Sequence, residues 1–220
     1  MNSRENGIID WTAGVVKAKG VGVPATYTYY AKPQAHPDGI LMVEIKHCST
    51  DSDFSSAIQI TKDYIRWLNM DLSFQDIDKE LSDFPSMYGP PNGLFLLAWH
   101  RRKLAGGVGL RMLEHKVCEM KRLFVYDQLK RRGVGCSLCD ALVQEAKNMG
   151  YEKMRLDTLG RMKAAMRLYE SLGFKEIDPY RFNPDPTTKY MELSLSDSAI
   201  NAMHRTGIPL RSIPAGDDKR

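Results

Sequence analysis

The stretch VCEMKRLFVYDQLKRRGVGCSL, residues 117–138, constrains the fold of this chain more than any other. It opens as a buried strand, although one carboxylate and two cations interrupt its apolar residues. Two glycines, Gly133 and Gly135, then introduce a helical pattern of apolar residues that begins at Val134 and ends before Gly150. Since a strand followed at once by a helix must bury both apolar faces, the stretch indicates layered α/β packing.

Other parts of the chain carry further strand and helix patterns. Strands are predicted over residues 40–48, 94–100, 103–113, 152–159, 174–177 and 189–195, and helices over 53–69, 74–84 and 162–172. Arg101 and Arg102 form the tight turn of a hairpin. The order β-α-α-β-β-β-α-β-α-β-β predicts a mixed sheet with helices on both faces, and ligands of open α/β sheets bind near strand carboxyl ends. We therefore expect a site just after Val125.

Length and composition favour one folded domain. Of the 220 residues, 43% are hydrophobic and 26% are charged, a balance typical of globular proteins. We expect a domain over residues 39–195, an N-terminal extension over 1–38, and a short helix and tail over 196–220. No apolar run is long enough for a membrane span, and four cysteines are few for a disulfide scaffold. We therefore predict a cytoplasmic protein without membrane association.

The cysteines and histidines do not favour a metal site. Cys136 and Cys139 form a C-x-x-C pair, but a zinc site needs a second pair, and Cys48 and Cys118 are far apart. A thioredoxin-like redox role is the other functional interpretation of the pair. The simplest interpretation is that the two cysteines are small apolar residues one helical turn apart. The five histidines show no H-x-x-x-H spacing. No metal is predicted.

Charge is distributed unevenly along the chain. Residues 116–132 hold six cations and two anions, whereas residues 51–83 hold eight acids and three cations. The first region favours an anionic ligand and the second a cationic one, although both patterns are also typical of solvated helix faces. Nucleic-acid binding is not predicted, because the cations of the basic region are not interleaved with stacking aromatic residues.

The loop before the second long helix has the features of a pyrophosphate site. Lys130, Arg131 and Arg132 precede two glycines that permit close backbone approach, and a helix N-terminus offers unsatisfied N–H groups. The loop is not a P-loop, and Leu138 stands where a dinucleotide fingerprint has its third glycine. A surface loop that starts a helix is the alternative interpretation.

Two motifs extend this interpretation. KRRGVGCSLCDALVQEA resembles the acetyl-CoA loop of the GNAT family of N-acetyltransferases, whose pattern is [Q/R]-x-x-G-x-[G/A], and AAMRLYESLGFKEI resembles that family's second signature, A-x-x-L-Y-E-x-L-G-F. The resemblance covers about residues 40–195 and implies the GNAT fold, an α/β (α+β) arrangement with a central mixed, mostly antiparallel twisted sheet and helices on both faces. Lys130 replaces the usual Gln or Arg, and Met162 replaces an Asn that many members have.

The resemblance also implies which residues bind acetyl-CoA as a co-substrate. In the family, the strand before the loop pairs with the pantetheine arm through its backbone, and a backbone N–H there can stabilise the oxyanion of the reacting thioester. The predicted cofactor-binding residues lie at the end of that strand, in the loop and first helical turn, and in the second motif: Leu123, Phe124, Val125, Lys130, Arg131, Arg132, Gly133, Val134, Gly135, Cys136, Ser137, Met162 and Ala165.

Two side chains are predicted to be catalytic. Glu119 matches the position from which several family members supply a general base, directly or through water, because an amine must lose a proton before it attacks. Tyr169 matches the family's usual general acid, which protonates the departing thiolate or binds its sulfur. The alternatives are a buried ion pair of Glu119 with Lys121 or Arg155, and a purely structural Tyr169.

The predicted function is transfer of acetyl from acetyl-CoA to a primary amine of a small molecule, directly and within a ternary complex. The aspartates of residues 51–83 favour a cationic acceptor. Alternatives are another acyl-CoA donor, a protein amine as acceptor, or a non-catalytic CoA-binding regulatory module, which Met162 would suit. A homodimer is expected from the resemblance.

Overall fold

The computed structural model describes residues 15–16, 28–30, 43–70, 76–91 and 93–196. The predicted C-terminal helix and tail lie outside these residues, except for residue 196, and so does most of the predicted N-terminal extension. The domain boundaries stay predictions.

The described strands form one sheet in the order β1-β2-β3-β4-β5-β6-β7-β9-β8. Their bounds are β1 Val15–Val16, β2 Thr28–Tyr30, β3 Glu44–His47, β4 Gly93–His100, β5 Lys103–Glu114, β6 Val117–Val125, β7 Lys153–Thr158, β8 Lys175–Ile177 and β9 Lys189–Ser194. Strands β6 and β7 run parallel, and every other neighbouring pair in this sheet is antiparallel. The prediction of a mixed, mostly antiparallel sheet is confirmed.

The described helices are α1 Asp51–Leu68, α2 Ile77–Ser82, α3 Phe84–Met87, α4 Val134–Asn148 and α5 Lys163–Ser171. A capping box starts α1, because Thr50 and Asp53 each accept a hydrogen bond from the other's backbone N–H. The predicted second helix was expected to end before Pro85, and α2 does end there, at Ser82. Pro85 itself lies in the first turn of a short helix that was not predicted, α3, where its missing N–H costs no hydrogen bond.

Helices cover both faces of the sheet. On β4, Leu94, Leu96 and Ala98 pack into a core with α4 and α5, whereas Phe95 and Leu97 pack into a second core with α1 and α3. This alternation follows from the two-residue repeat of a strand, and it explains why β4 reads as a continuous apolar run. The prediction of helices on both faces is confirmed.

Candidate functional site

Strands β6 and β7 separate at the centre of the sheet. They pair only over residues 117–119 and 153–155, although β6 continues to Val125 and β7 to Thr158. Backbone groups of β6 that face this gap beyond residue 119 therefore have no partner on β7. A ligand in the gap can take the place of the missing strand.

A bulge in β6 lies beside the gap. Lys121 pairs with Gly109 and Phe124 with Gly107, so β6 has two residues between these pairs where β5 has one. Arg122 lies in the bulge with φ of +58°. A bulge bends its strand and redirects side chains, which is why bulges are common near binding sites.

A narrow cavity of about 60 Å³ lies between the parted strands. It is also lined by the end of α1, by α5 and by the loop before β9. Four residues predicted from sequence line it together, namely Leu123, Met162, Ala165 and Tyr169. The end of β6 and the second motif, about 40 positions apart in the chain, therefore meet at this cavity.

Tyr169 is the only predicted catalytic residue that lines this cavity among the described residues. It is buried, and burial raises the pKa of its hydroxyl well above the usual value, so the phenol stays protonated. Within the described part of the chain, its hydroxyl forms no hydrogen bond, although its ring packs against Phe174. Because buried hydroxyls are normally bonded, this donor is suited to a ligand in the cavity.

Glu119 lies on the other side of β6's bulge in a network of cations. It is fully buried, and its Oε2 accepts a hydrogen bond from Arg111 Nε at 3.0 Å. Its Oε1 accepts one from the Tyr180 hydroxyl at 2.8 Å and forms an ion pair with Arg181. The carboxylate is thus fully engaged in ion pairs and hydrogen bonds, which favours the structural alternative, with different partners from those predicted.

The partners that the sequence suggested for Glu119 bind elsewhere. Arg155 donates to Glu192 at 2.7 Å and to Glu114 at 2.8 Å. Lys121 lies with its Nζ 3.5 Å from Asp157 Oδ1. The ion-pair partner of each side chain is determined by which strands are neighbours in the sheet. No local sequence pattern indicates which strands those are.

Lys121 is a functional candidate that the sequence reasoning missed. Its side chain is 5% exposed and lines the cavity together with Asp157 and Asn183. Burial lowers its pKa to about 8, even though the Asp157 carboxylate acts in the opposite direction. A lysine with this pKa exchanges a proton close to neutral pH. The only signal in the sequence was a cation inside a strand that otherwise reads as buried.

The end of β6 contributes backbone and apolar surface. The Phe124 ring packs among Tyr64, Trp67 and Tyr126, with centroid distances of 5.3 to 5.9 Å. Val125 packs against the core on the α4 side. Both side chains are occupied by packing, so only their backbone groups are available to a ligand.

The start of α4 is open to a ligand. Its N-cap is Gly133, with φ of +80°, and no side chain caps the first turn, which contains Val134, Cys136 and Ser137. A Cβ on Gly135 would make only ordinary contacts, at 3.6 and 3.8 Å, so packing within the protein does not require glycine there. The first turn therefore offers backbone N–H groups and a partial positive charge to an anion.

The three predicted phosphate-binding cations differ in their surroundings. Lys130 Nζ lies 4.2 Å from the centroid of the Trp67 ring and 2.6 Å from Asp127 Oδ1. Arg131 is exposed, with φ of +60°, and Arg132 is half-buried. All three stand beside the α4 N-terminus, and their binding to phosphate stays a prediction.

The cysteines and helices show no sign of a disulfide, a metal site or a membrane span within the described residues. All four cysteines are free thiols; Cys136 Sγ lies 3.7 Å from Asp140 Oδ2, and Cys139 Sγ lies 4.0 Å from Met120 Sδ. No group of three or more His, Cys, Asp or Glu residues in the described ranges could hold a metal ion. No helix among the described residues has the length and apolarity to cross a membrane.

Comparison with known sequences gave three related findings. A model of the acetyltransferase (GNAT) family matches residues 61–174. An uncharacterised N-acetyltransferase of Schizosaccharomyces pombe is 36% identical over 169 residues, which cover 73% of this chain and 98% of the relative. An uncharacterised N-acetyltransferase of Dictyostelium discoideum is 30% identical over 185 residues, covering 56% of this chain and 86% of that protein.

Comparison with solved structures agrees on the fold. A GNAT acetyltransferase of Staphylococcus aureus superposes with a TM-score of 0.59 at 20% identity, covering 70% of this chain and 99% of that one. The PaiA N-acetyltransferase of Thermoplasma acidophilum, in complex with coenzyme A, superposes with a TM-score of 0.54 at 19% identity, covering 69% and 98%. The predicted fold class is confirmed.

Proposed function

The chain belongs to the acetyltransferase (GNAT) family, and from this premise we propose that it transfers an acetyl group from acetyl-CoA directly to a primary amine of a small molecule. The observation that carries the proposal is the cavity between the parted strands β6 and β7. The end of β6 lies beside the uncapped start of α4, where Gly135 approaches Val125, and the wall of the cavity carries Tyr169.

Acetyl-CoA fits the groups that surround this gap. The pyrophosphate would lie at the first turn of α4, near Arg131 and Arg132, where backbone N–H groups and positive charge coincide. The pantetheine arm has amides that can pair with the unpartnered backbone of β6, beside Met162 and Ala165. The PaiA protein, which has the same fold, is known in complex with coenzyme A.

The acceptor amine has to lose a proton, and we assign Lys121 as the base that accepts it. Its Nζ lies beside the cavity, and at a pKa of about 8 a substantial fraction of the amine is neutral in mildly alkaline solution. Glu119 stays the alternative base from the sequence. To accept a proton, it would have to give up contacts with Arg111, Arg181 or Tyr180.

The departing sulfur needs a donor, and Tyr169 supplies one. Its raised pKa makes complete proton transfer to a thiolate unfavourable, so we assign it a hydrogen bond to the sulfur rather than a full proton transfer. With these assignments, Tyr169 of the second motif and Lys121 of β6 act in the same reaction.

Calorimetric titration with acetyl-CoA tests the donor site. We expect micromolar binding with one site per chain, and comparable binding of desulfo-CoA, because pyrophosphate and pantetheine supply most contacts. Longer acyl-CoAs, titrated in parallel, test the alternative donors. An amine screen read by thiol release then tests the transfer. If no acyl-CoA binds, the proposed function is wrong.

The cytoplasmic location and the homodimer stay predictions from the sequence. Size-exclusion chromatography with light scattering measures the oligomeric state, and a single species at the monomer mass would contradict the predicted dimer.

A further inference from the structure

A second, larger cavity lies next to the proposed reaction centre. It is an open depression of about 410 Å³ between α2, the C-terminal end of β5 and the loop before β9. We call it the arginine depression, and its defining residues are Lys79, Arg111, Arg181 and Phe182. Phe182 is 76% exposed and supplies an apolar rim.

The depression carries an excess of positive charge. Arg111 and Arg181 both pair with the carboxylate of Glu119, and Arg181 also lies near Asp157, which is already paired with Lys121. Lys79 and Asp76 lie at the same depression with opposite charges, and neither has an ion pair among the described residues. Counted together, these cations exceed the carboxylates by one.

The remaining acid of the depression is already neutralised. Glu80 is buried and receives two hydrogen bonds from Arg122, at 2.8 and 2.7 Å, and one from the Tyr88 hydroxyl at 2.9 Å. This ion pair has both charges satisfied, so it does not reduce the positive charge that the two other arginines present.

The guanidinium groups also keep hydrogen-bonding capacity. Arg111 donates its Nε to Glu119, and its two Nη groups have no protein partner in the described ranges. Arg181 lies in a buried, cation-rich place, where burial and the neighbouring Arg111 lower its pKa to about 10. A second anion would relieve the mutual repulsion of the two guanidinium groups.

Arg181 connects the depression to the cavity. Its Nε lies 4.0 Å from Asp157 Oδ1, and Asp157 lines the cavity between β6 and β7. The Glu80–Arg122 ion pair also lies between the two spaces, because Arg122 lines the cavity and Glu80 lines the depression. The two spaces therefore adjoin, with these ion pairs at their boundary.

We propose that the acceptor is an amino acid, and that Arg111 and Arg181 bind its carboxylate while its amine is acetylated. This inference rests on the proposed function and narrows it to amines that carry a carboxylate. Arginine suits the task because its planar group binds a carboxylate through two parallel hydrogen bonds. Phe182 would cover the apolar part of the amino acid.

This differs from the cationic acceptor expected from sequence. The aspartates behind that expectation do not converge at the site: Asp53 caps α1, and Asp63 bonds to Arg66 and Tyr126. Among the described acids of that region, Asp76 and Glu80 line the depression, and Glu80 is neutralised.

Matched acceptors test the proposal. For several side chains, kcat/KM is measured by thiol release with the amino acid, its amide and its decarboxylated amine. The amide has the less basic amine, so its intrinsic reactivity at neutral pH is the higher one. We nevertheless expect the amino acid to be preferred by about tenfold or more, because charge-assisted hydrogen bonds to the arginines are available only to the carboxylate.

Variants test which residues are responsible. Arg111→Gln and Arg181→Gln should each lower the acid-to-amide ratio of kcat/KM about tenfold, and Arg101→Gln, an exposed arginine of the hairpin turn, should leave it unchanged. The ratio is measured on one protein sample, so partial unfolding of a variant cancels.

Three results would overturn the inference. Amides, decarboxylated amines or diamines could be better acceptors than amino acids, or a peptide amine could be preferred to the free amino acid. The ratio could also be the same in wild type and in both arginine variants. If acetyl-CoA binds but no amine is acetylated, the proposed function falls, and this inference falls with it.

Discussion

At the scale of single residues, Tyr169 has one function that can be separated from its packing. Tyr169→Phe removes the hydroxyl and keeps the ring contact with Phe174. We expect kcat to fall about a hundredfold, a typical loss when one hydrogen-bond donor to the developing charge is removed, while the dissociation constant of desulfo-CoA is unchanged. Thiol release and calorimetry measure the two quantities.

The matched control is Tyr151→Phe, which changes a tyrosine at the far end of β7. We expect wild-type kcat from this variant. A Tyr169→Phe enzyme that retained wild-type kcat would show that the hydroxyl takes no part in the reaction.

The identity of the base is a second question for single residues. If neutral Lys121 accepts the proton, kcat/KM should rise with pH through about 8 and level off above it. The acceptor used should have an amine that titrates well below pH 8, so that its own deprotonation does not produce the rise. In Lys121→Met this rise should disappear, and in Glu119→Gln it should persist at lower amplitude.

The opposite pattern would identify Glu119 as the base. In that case Lys121→Met would keep the pH dependence and Glu119→Gln would lose it. The shape of the profile decides the question, so a reduced folded fraction in either variant does not affect the answer.

At the scale of secondary-structure elements, the glycines of β5 determine how closely the aromatic core can approach. A Cβ on Gly109 would lie 2.5 Å from Tyr88 Cε1 and 3.0 Å from Phe95 Cδ2. We expect Gly109→Ala to lower the free energy of unfolding by about 2 kcal/mol, because the rings have to move. Urea denaturation measures this change.

Gly135→Ala is the control for that experiment. Its added Cβ meets Leu168 and Val125 at ordinary contact distances, and φ is not positive there, so stability should change little. Equal stability losses in the two variants would contradict the steric explanation. The Gly109→Ala substitution should also displace Tyr88, whose hydroxyl donates a hydrogen bond to Glu80 beside the arginine depression.

Elements are also the scale at which sequence patterns were most informative. Arg101 and Arg102 were predicted to form the hairpin turn, and both have positive φ, of 48° and 63°, as a two-residue turn requires. The bulge at Arg122 was not predicted. It has no local marker such as glycine, and it follows from the pairing of β6 with β5.

At the scale of the whole molecule, Lys121 links folding to pH. Its pKa falls from the usual 10.5 to about 8 in the folded state. Below pH 8 the Lys121 amine is protonated in both the folded and the unfolded state, so folding carries the full free-energy cost of burying a cation. Between pH 8 and 10.5 only the unfolded state binds it, so this residue makes the free energy of unfolding rise with pH over that window.

The contribution is measured as a difference, because buried tyrosines and cysteines titrate in the same range. Denaturation of wild type and Lys121→Met at several pH values should give a difference in unfolding free energy that grows between pH 8 and 10.5. Lys103→Met, at an exposed lysine, should give a constant difference. If the difference in unfolding free energy were also constant for Lys121→Met, folding would not lower the pKa of this lysine.

The sequence by itself determined the family, most of the order of elements, and the two motifs. These depend on local periodicity, on glycines and on motif residues that are neighbours in the chain. The buried charge partners depended on the tertiary structure alone. Glu119 bonds to Tyr180, 61 positions away, and Arg122 to Glu80, 42 positions away. Coulomb attraction acts between any such charges, and only the folded sheet selects which of them become neighbours in a place that water does not reach.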